Sequence, residues 1–273
     1  MREAVEAHYG PGNLLATVLA AFGNPGTESV MPTPDELAPL DQFHLRGTTA
    51  TRELARLAGL RTGTAVLDVG GGLGGPARTL AREFGCRVVV MDLTGEYCRV
   101  GRLITARTGL AARVAFVQGD GTALPFVADH FDAVWMQAGA MNIEEKARLY
   151  AECRRVLRPG GRLALQELAT GRRVPLRFPV PWARGQALSF LVPPAALRDL
   201  VSGAGFAECA WADVSAETLA WYGLGQQAAA PAPRSLLGLH SLLGADAGAA
   251  GWNLLCNLAE GRIAVVQGVY ARP

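Results

Sequence analysis

Residues Val66-Leu67-Asp68-Val69-Gly70-Gly71-Gly72-Leu73-Gly74-Gly75-Pro76 constrain this chain more than any other stretch. An apolar run ends in an acid and then in a cluster of glycines. Behind the cluster, Pro76 to Phe84 reads as a helix. Strand, tight turn and helix N-terminus follow one another. Glycine lets the backbone turn sharply and leaves no Cβ in the way of a ligand lying against the loop. The unpaired N–H groups of a helix start favour polar or anionic ligand groups. Residues 66–84 therefore predict the nucleotide-binding corner of an α/β domain.

The glycines alone do not say which nucleotide. Gly70, Gly72 and Gly75 fit G-x-G-x-x-G, the dinucleotide fingerprint. Gly70, Gly72 and Gly74 fit G-x-G-x-G, the pattern of S-adenosylmethionine (SAM) methyltransferases. Arg87 to Met91 predicts a strand ending at Asp92, about 20 residues past Gly70, where a carboxylate accepts from ribose hydroxyls in either class. On this corner both readings stay open.

Three further features separate them. Asp68 sits inside the strand end, a position that dinucleotide folds keep apolar and that the D-x-G-x-G-x-G methyltransferases fill with an acid. Val114 to Val117 predicts a strand, followed by Gln118-Gly119-Asp120-Gly121-Thr122-Ala123-Leu124-Pro125-Phe126, similar to the family's G-D-A-x-x-L-P-F segment. Phe131 to Trp135 predicts the next strand. A helix over Ile143–Leu157 then leads into Arg158-Pro159-Gly160-Gly161 and a strand over Arg162–Gln166. The chain resembles class I SAM-dependent methyltransferases, and within them the small-molecule branch with the ubiquinone/menaquinone, tocopherol and glycine/sarcosine enzymes. The likeness reaches upstream to Asp41-Gln42-Phe43-His44-Leu45-Arg46-Gly47 and downstream to Phe178-Pro179-Val180-Pro181-Trp182-Ala183. Nothing after Trp221 shares it.

The resemblance implies a Rossmann-like, seven-stranded, doubly wound sheet whose antiparallel last strand lies between the fifth and sixth. It places Gly70, Asp92, Asp120 and Gln137 on one rim, at the C-terminal strand ends where such sheets bind ligands. It implies SAM as cofactor and S-adenosyl-L-homocysteine as product. Gly70, Gly72 and Gly74 would lie against the methionine and ribose. Asp68 would meet the amino group or hold the loop. Asp92 would take the ribose hydroxyls, Leu93 would cover adenine, and Asp120 with Gly121 would read the adenine amine. Gln137 would touch the methionine end and Arg46 would pair with its carboxylate. Ordinary alternatives stand beside these roles: a turn Asp for Asp68 and Asp120, a solvated loop residue for Gln137, a surface Arg for Arg46.

The acceptor side is less marked. Relatives often carry a His just after strand four, in a string like W-x-Q-H-x-A-M-N. Here Trp135-Met136-Gln137-Ala138-Gly139-Ala140-Met141-Asn142 puts Ala138 at that place. His44 is then the leading general base, with a hydrogen-bonded structural His as the alternative. His8 and Tyr9, in an N-terminal segment expected to be mobile, are weaker candidates. His130 and His240 are set aside. Tyr9, Asn142, Phe178, Trp182 and Phe190 are the expected substrate contacts, with Leu191 beside them, and suit an apolar or aromatic metabolite.

Three functions stay open: a small-molecule methyltransferase acting on O, N or C; a methyltransferase-fold cyclase or other enzyme that keeps SAM as a structural ligand; and a sensing or binding module, against which the set of acids argues.

The rest of the chain bounds these readings. Residues 1–60 predict a helical cap, with helices over Leu14–Phe22 and Thr48–Leu60, the latter amphipathic with Leu54, Leu57 and Ala58 on one face, and a loop over Gly23–Pro34. Residues 61–170 alternate strand and helix, which implies a mainly parallel sheet. Residues 171–273 complete the same α/β domain. Pro175, Pro179, Pro181, Pro193 and Pro194 exclude one long helix at 171–193. Helices are expected at Ala195–Ala204 and Ala247–Glu260, strands at Phe206–Val214 and Arg262–Tyr270, and a linker at Ala228–Pro233. A net charge of +2 in 273 residues makes no case for nucleic acid. Five scattered cysteines without C-x-x-C predict buried reduced thiols and no metal site. No run is long enough to span a membrane, and the N-terminus lacks a signal-peptide layout. A cytoplasmic enzyme with a small-molecule substrate is expected, and a homodimer is left open.

Overall fold

The computed structural model describes residues 2–9, 14–22, 34–228 and 246–273. The loop expected over 23–34 and the linker over 228–233 fall outside these apart from Pro34 and Ala228, and His240 does too. Seven strands form one sheet: β1 (Ala65–Val69), β2 (Arg87–Asp92), β3 (Val114–Gln118), β4 (Phe131–Gln137), β5 (Leu157–Thr170), β6 (Ala207–Asp213) and β7 (Ile263–Ala271). Their order is β3-β2-β1-β4-β5-β7-β6. β1 to β5 run parallel, and β7 pairs antiparallel with both β5 and β6. This is the seven-stranded sheet, with its antiparallel last strand between the fifth and sixth, that the sequence resemblance implies.

Strand alternation divides the core. Leu67, Val69, Val134, Met136, Leu163 and Leu165 face one side, against α7 (Lys146–Val156) and α8 (Pro194–Gly203). Val66, Val88, Val90, Ala133, Trp135 and Ala164 face the other, against α4 (Gly47–Leu57) and α5 (Gly75–Glu83). Both faces are covered, so the strands read as apolar runs rather than as half-polar ones.

The N-terminal helices α1 (Arg2–Tyr9), α2 (Leu14–Phe22) and α3 (Pro34–Asp41) close one end of the rim. Leu14 and Val18 of α2 and Leu37 and Leu40 of α3 pack on Leu73 and on Tyr97, Val100 and Ile104 of α6 (Gly95–Arg107). α9 (Ser215–Ala228) and α10 (Ala247–Ala259) lie in the C-terminal part, and α10 packs with the Pro-rich loop through Leu254, Leu258, Val180 and Trp182.

Several sequence expectations need correction. α1 docks: the His8 ring stands 3.0 Å from Pro181 O, and Tyr9 donates to Asn142 at 2.9 Å. Leu57 is 44% exposed, because the buried face of α4 runs through Thr51, Leu54 and Ala55 to Ala58. α7 starts at Lys146, not Ile143, since residues 138–145 make a turn tied down by Lys146. Cys209 is exposed on β6, unlike buried Cys86, Cys98 and Cys153.

Candidate active site

Parallel strands deliver the residues after their C-terminal ends to one edge. The register Val69↔Met91, Asp92↔Gln118 and Gln137↔Gln166 levels those ends. Between β1 and β4 the chain turns in opposite directions, and a cavity of about 490 Å³ opens there. Gly70, Gly72, Asp68, Asp92, Leu93, Asp120, Gly121 and Gln137 all line it.

The glycine loop is built for close approach. Gly70 (φ 71°) and Gly72 (φ 56°) take left-handed conformations that favour glycine. A Cβ on Gly71 would stand 2.6 Å from Asp68 Oδ2. Gly74 departs from its expected role. It does not line the cavity, and its Cβ would strike Phe116 Cζ at 2.7 Å, so glycine serves packing there.

Asp68 is 1% exposed, and neither carboxylate oxygen has a partner in the protein. Burial and the nearby Asp92 charge push its pKa up to about 8. Asp92 uses its oxygens on the frame: Oδ2 accepts from Gly72 N–H at 2.9 Å and Oδ1 from Thr94 N–H at 2.8 Å. Asp120 Oδ1 accepts from Thr122 N–H and Oγ1, both at 2.8 Å, so it shapes its own turn as well as lining the cavity. Gln137 Oε1 accepts from Trp135 Nε1 and Thr51 Oγ1, each at 3.0 Å, while its buried Nε2 has no partner.

His44 lines the cavity, yet its Nε2 is engaged, 3.0 Å from Gly47 O and 3.1 Å from Thr51 Oγ1. A carbonyl only accepts, so Nε2 carries a hydrogen. Burial lowers the ring's pKa to about 4, against the ordinary range expected from sequence. Arg46 does not reach the cavity; its Nη2 pairs with Glu53 Oε1 at 2.6 Å.

On the acceptor side, Tyr9, Asn142 and Trp182 line the cavity. Asn142 Nδ2 donates to Trp182 O and Leu188 O, both at 2.8 Å, and Trp182 Nε1 donates to Ser189 Oγ at 2.9 Å. Phe178, Phe190 and Leu191 do not line it. Phe178 and Leu191 pack against the cluster around Trp182, and Phe190 N–H binds Met141 O.

Sequence reading missed Glu167 and Asp41, which line the cavity, and Lys146 beneath it. The missed signal was an acid inside a strand end flanked by leucines, Leu165-Gln166-Glu167-Leu168. Asp41 pairs with the buried Arg78 guanidinium, which also donates to Leu73 O and Thr105 Oγ1. The charged residues of the lining are acids: Asp41, Asp68, Asp92, Asp120, Glu144, Glu145 and Glu167. Among the described residues no Lys or Arg lines it. The described residues also hold no cluster of His, Cys, Asp and Glu suited to a metal ion.

Residues 67–165 match the family described as "Methyltransferase domain". That match runs from β1 to the middle of β5, the part of the sheet that builds the glycine loop and the rim. It is 39% identical over 115 residues to the ubiquinone/menaquinone biosynthesis C-methyltransferase UbiE of Pseudomonas fluorescens (strain SBW25), covering 41% of this chain and 45% of that one. It is 34% identical over 137 residues to methyltransferase GfsG of Streptomyces halstedii, covering 50% and 48%. The match thus spans about half the length of these curated relatives. In fold it is similar to the geranyl diphosphate C-methyltransferase of Streptomyces coelicolor A3(2), with TM-score 0.69, 15% identity and coverage of 100% and 97%. It is similar also to the [4+2]-cyclase SpnF, with TM-score 0.67, 23% identity and coverage of 97% and 95%.

SAM is the cofactor that methyltransferase domains use, and the residues of this cavity fit it. The orphaned Asp68 carboxylate suits a cationic or N–H donor, the orphaned Gln137 Nε2 suits an acceptor oxygen, and the glycine loop leaves room that a Cβ would fill.

Proposed function

We propose that this protein transfers a methyl group from SAM to a neutral, largely apolar small molecule. The observation that carries the reading is the pair of buried polar groups without protein partners, Asp68 and Gln137 Nε2, opening on one cavity beside the glycine loop. Buried polar groups left unpaired cost stability and persist where a ligand completes them.

In this reading Gly70 and Gly72 lie against the methionine and ribose. Asp68 accepts from the cofactor's ammonium, and Asp92, held by Gly72 and Thr94, presents its carboxylate to the ribose hydroxyls. Leu93 covers adenine, and Asp120 with Gly121 meets the adenine amine. Gln137 Nε2 takes the methionine carboxylate, in the place first assigned to Arg46. The bound sulfonium supplies an activated methyl group. The chain's part is to align an acceptor with it and exclude water.

Tyr9, Asn142 and Trp182 bound the acceptor chamber together with Met141, Leu168, Leu254 and Val265. A phosphate or carboxylate acceptor would meet acids and no lysine or arginine there, so the lining supports an uncharged acceptor. His44, with Nε2 committed and a low pKa, supports a positioning role more than that of a base. Ala138, with no proton acceptor, favours a second reading, cyclisation with SAM retained.

Incubation with methyl-labelled SAM and a panel of neutral phenols, alcohols and polyenes, beside the phosphorylated counterparts of the phenols and alcohols, tests both. Label in the neutral products is the expected result. Conversion of a polyene without release of S-adenosylhomocysteine would support the second reading instead.

A further inference from the structure

We infer that Glu167 is the group that takes the acceptor's proton as the methyl group is transferred; the inference rests on the methyltransferase reading above. Gln166 of β5 pairs with Gln137, the last residue of β4. Ala138 N–H donates to Gln166 O at 2.8 Å. Glu167 therefore follows at the level of Ala138, which has no titratable group. Glu167 lines the cavity and is 2% exposed.

The carboxylate is held in place but not saturated. Oε1 accepts from Gly139 N–H at 3.1 Å and Ala140 N–H at 3.2 Å, while Oε2 has only a 3.3 Å contact with Ala140 N–H. A carboxylate offers about four lone-pair sites, so Oε2 has capacity for a proton from the cavity.

Burial raises Glu167's pKa to about 7, and the backbone N–H groups and the Lys146 charge act against burial. Lys146 is the chain's single lysine, and its Nζ donates to Ala140 O and Ile143 O at 2.6 and 2.7 Å. From α7, Tyr150 also feels Glu167. β7 sets the apolar Val266 opposite it, and His44 and Tyr9 share the cavity from the N-terminal side. A base near neutrality suits proton transfer at ordinary pH.

The other candidates are poorer acceptors. His44 binds through its one protonated nitrogen and is weakly basic, and Asn142 is not basic. For a hydroxyl acceptor, the oxygen forms a bond to the methyl carbon. The carbon–sulfur bond breaks with its electron pair left on sulfur, and the hydroxyl proton passes to Glu167 Oε2.

Glu167→Gln tests this, because its amide oxygen still accepts from Gly139 and Ala140. S-adenosylhomocysteine affinity and Tm should change little. Methyl transfer from labelled SAM to the neutral phenol panel should fall about 10²–10⁴-fold. The wild-type rate should rise with pH through a limb near 7, absent in the variant. Lys146→Met should move that limb to higher pH by removing a cation, and His44→Ala should leave it in place.

Carbon-13 NMR of glutamate-labelled protein with S-adenosylhomocysteine gives a readout without turnover. One carboxyl should titrate near pH 7, and that signal should vanish in Glu167→Gln. A wild-type rate and limb in Glu167→Gln, or a Glu167 carboxyl titrating below pH 5, overturns the proposal. A limb that disappears in His44→Ala instead also overturns it, while leaving the methyltransferase reading intact. If S-adenosylhomocysteine binds but label reaches no acceptor, the methyltransferase reading fails and the role of Glu167 fails with it.

Discussion

Asp68 carries a stability cost that depends on pH. Its carboxyl is buried without a partner, and its pKa of about 8 in the fold lies well above the ordinary aspartate value. The fold therefore favours the neutral form. The cost is absent below about pH 4 and grows as pH rises toward 8, so the unliganded protein loses stability over that window. Asp68→Asn should raise the Tm of the apo protein by several degrees at pH 8 and by little at pH 5, read by calorimetric scans. The same change should weaken SAM binding roughly tenfold or more, the cost of losing a hydrogen bond to a charged group. A variant with lower apo Tm and unchanged affinity would remove Asp68 from the site. Asp92 behaves differently, because its oxygens also hold Gly72 and Thr94. Asp92→Ala should cost about 1.5–3 kcal/mol of SAM affinity. It should also lower the apo Tm, contrary to what a purely ligand-facing acid would do. Titration calorimetry and thermal scans on one sample check both.

The elements differ in how legible they were. β1 to β4 and α5 carry strong local patterns, apolar runs closed by Gly, Asp or Pro, and they fall within one or two residues of expectation. α9 was not foreseen; its spaced glycines and weak apolar periodicity disguise a helix. Leu57 shows the same limit: sequence gives the spacing of apolar residues but not which edge of the stripe a neighbour covers. Cavity-lining residues on strand ends, such as Asp68 and Asp92, were legible because the strand pattern places them. Glu167 was not, because a buried acid in an apolar strand resembles a strand terminus until its partners are known. Arg46 and Phe178 do not line the cavity, since a position in the chain does not say which way a loop side chain points. The cap is joined to the core by a pair that no pattern announces, Asp41 on α3 with Arg78 on α5. Both are almost fully buried. Removing one partner of such a pair strands a charge and costs about 3–5 kcal/mol. Arg78→Met should lower stability by that order in urea unfolding and expose residues 34–41 to limited proteolysis before the sheet. Resistance equal to wild type would show that the cap is held elsewhere.

At the scale of the whole molecule, a mainly parallel sheet covered on both faces leaves one rim for chemistry, and the N-terminal helices and the Pro-rich loop roof it. None of the described helices is long and apolar enough to cross a membrane. The acid-rich lining sets the character of that chamber: it favours a cationic cofactor and an uncharged acceptor over an anionic one. Everything proposed for the acceptor depends on the rim holding a sulfonium nucleoside and not a dinucleotide. Titration calorimetry of the purified protein with SAM, S-adenosylhomocysteine and NAD measures this directly. The expected result is one site per chain for SAM and S-adenosylhomocysteine at about −7 to −9 kcal/mol, roughly micromolar, with no heat of binding from NAD. NAD binding without SAM binding would contradict the assignment of the site.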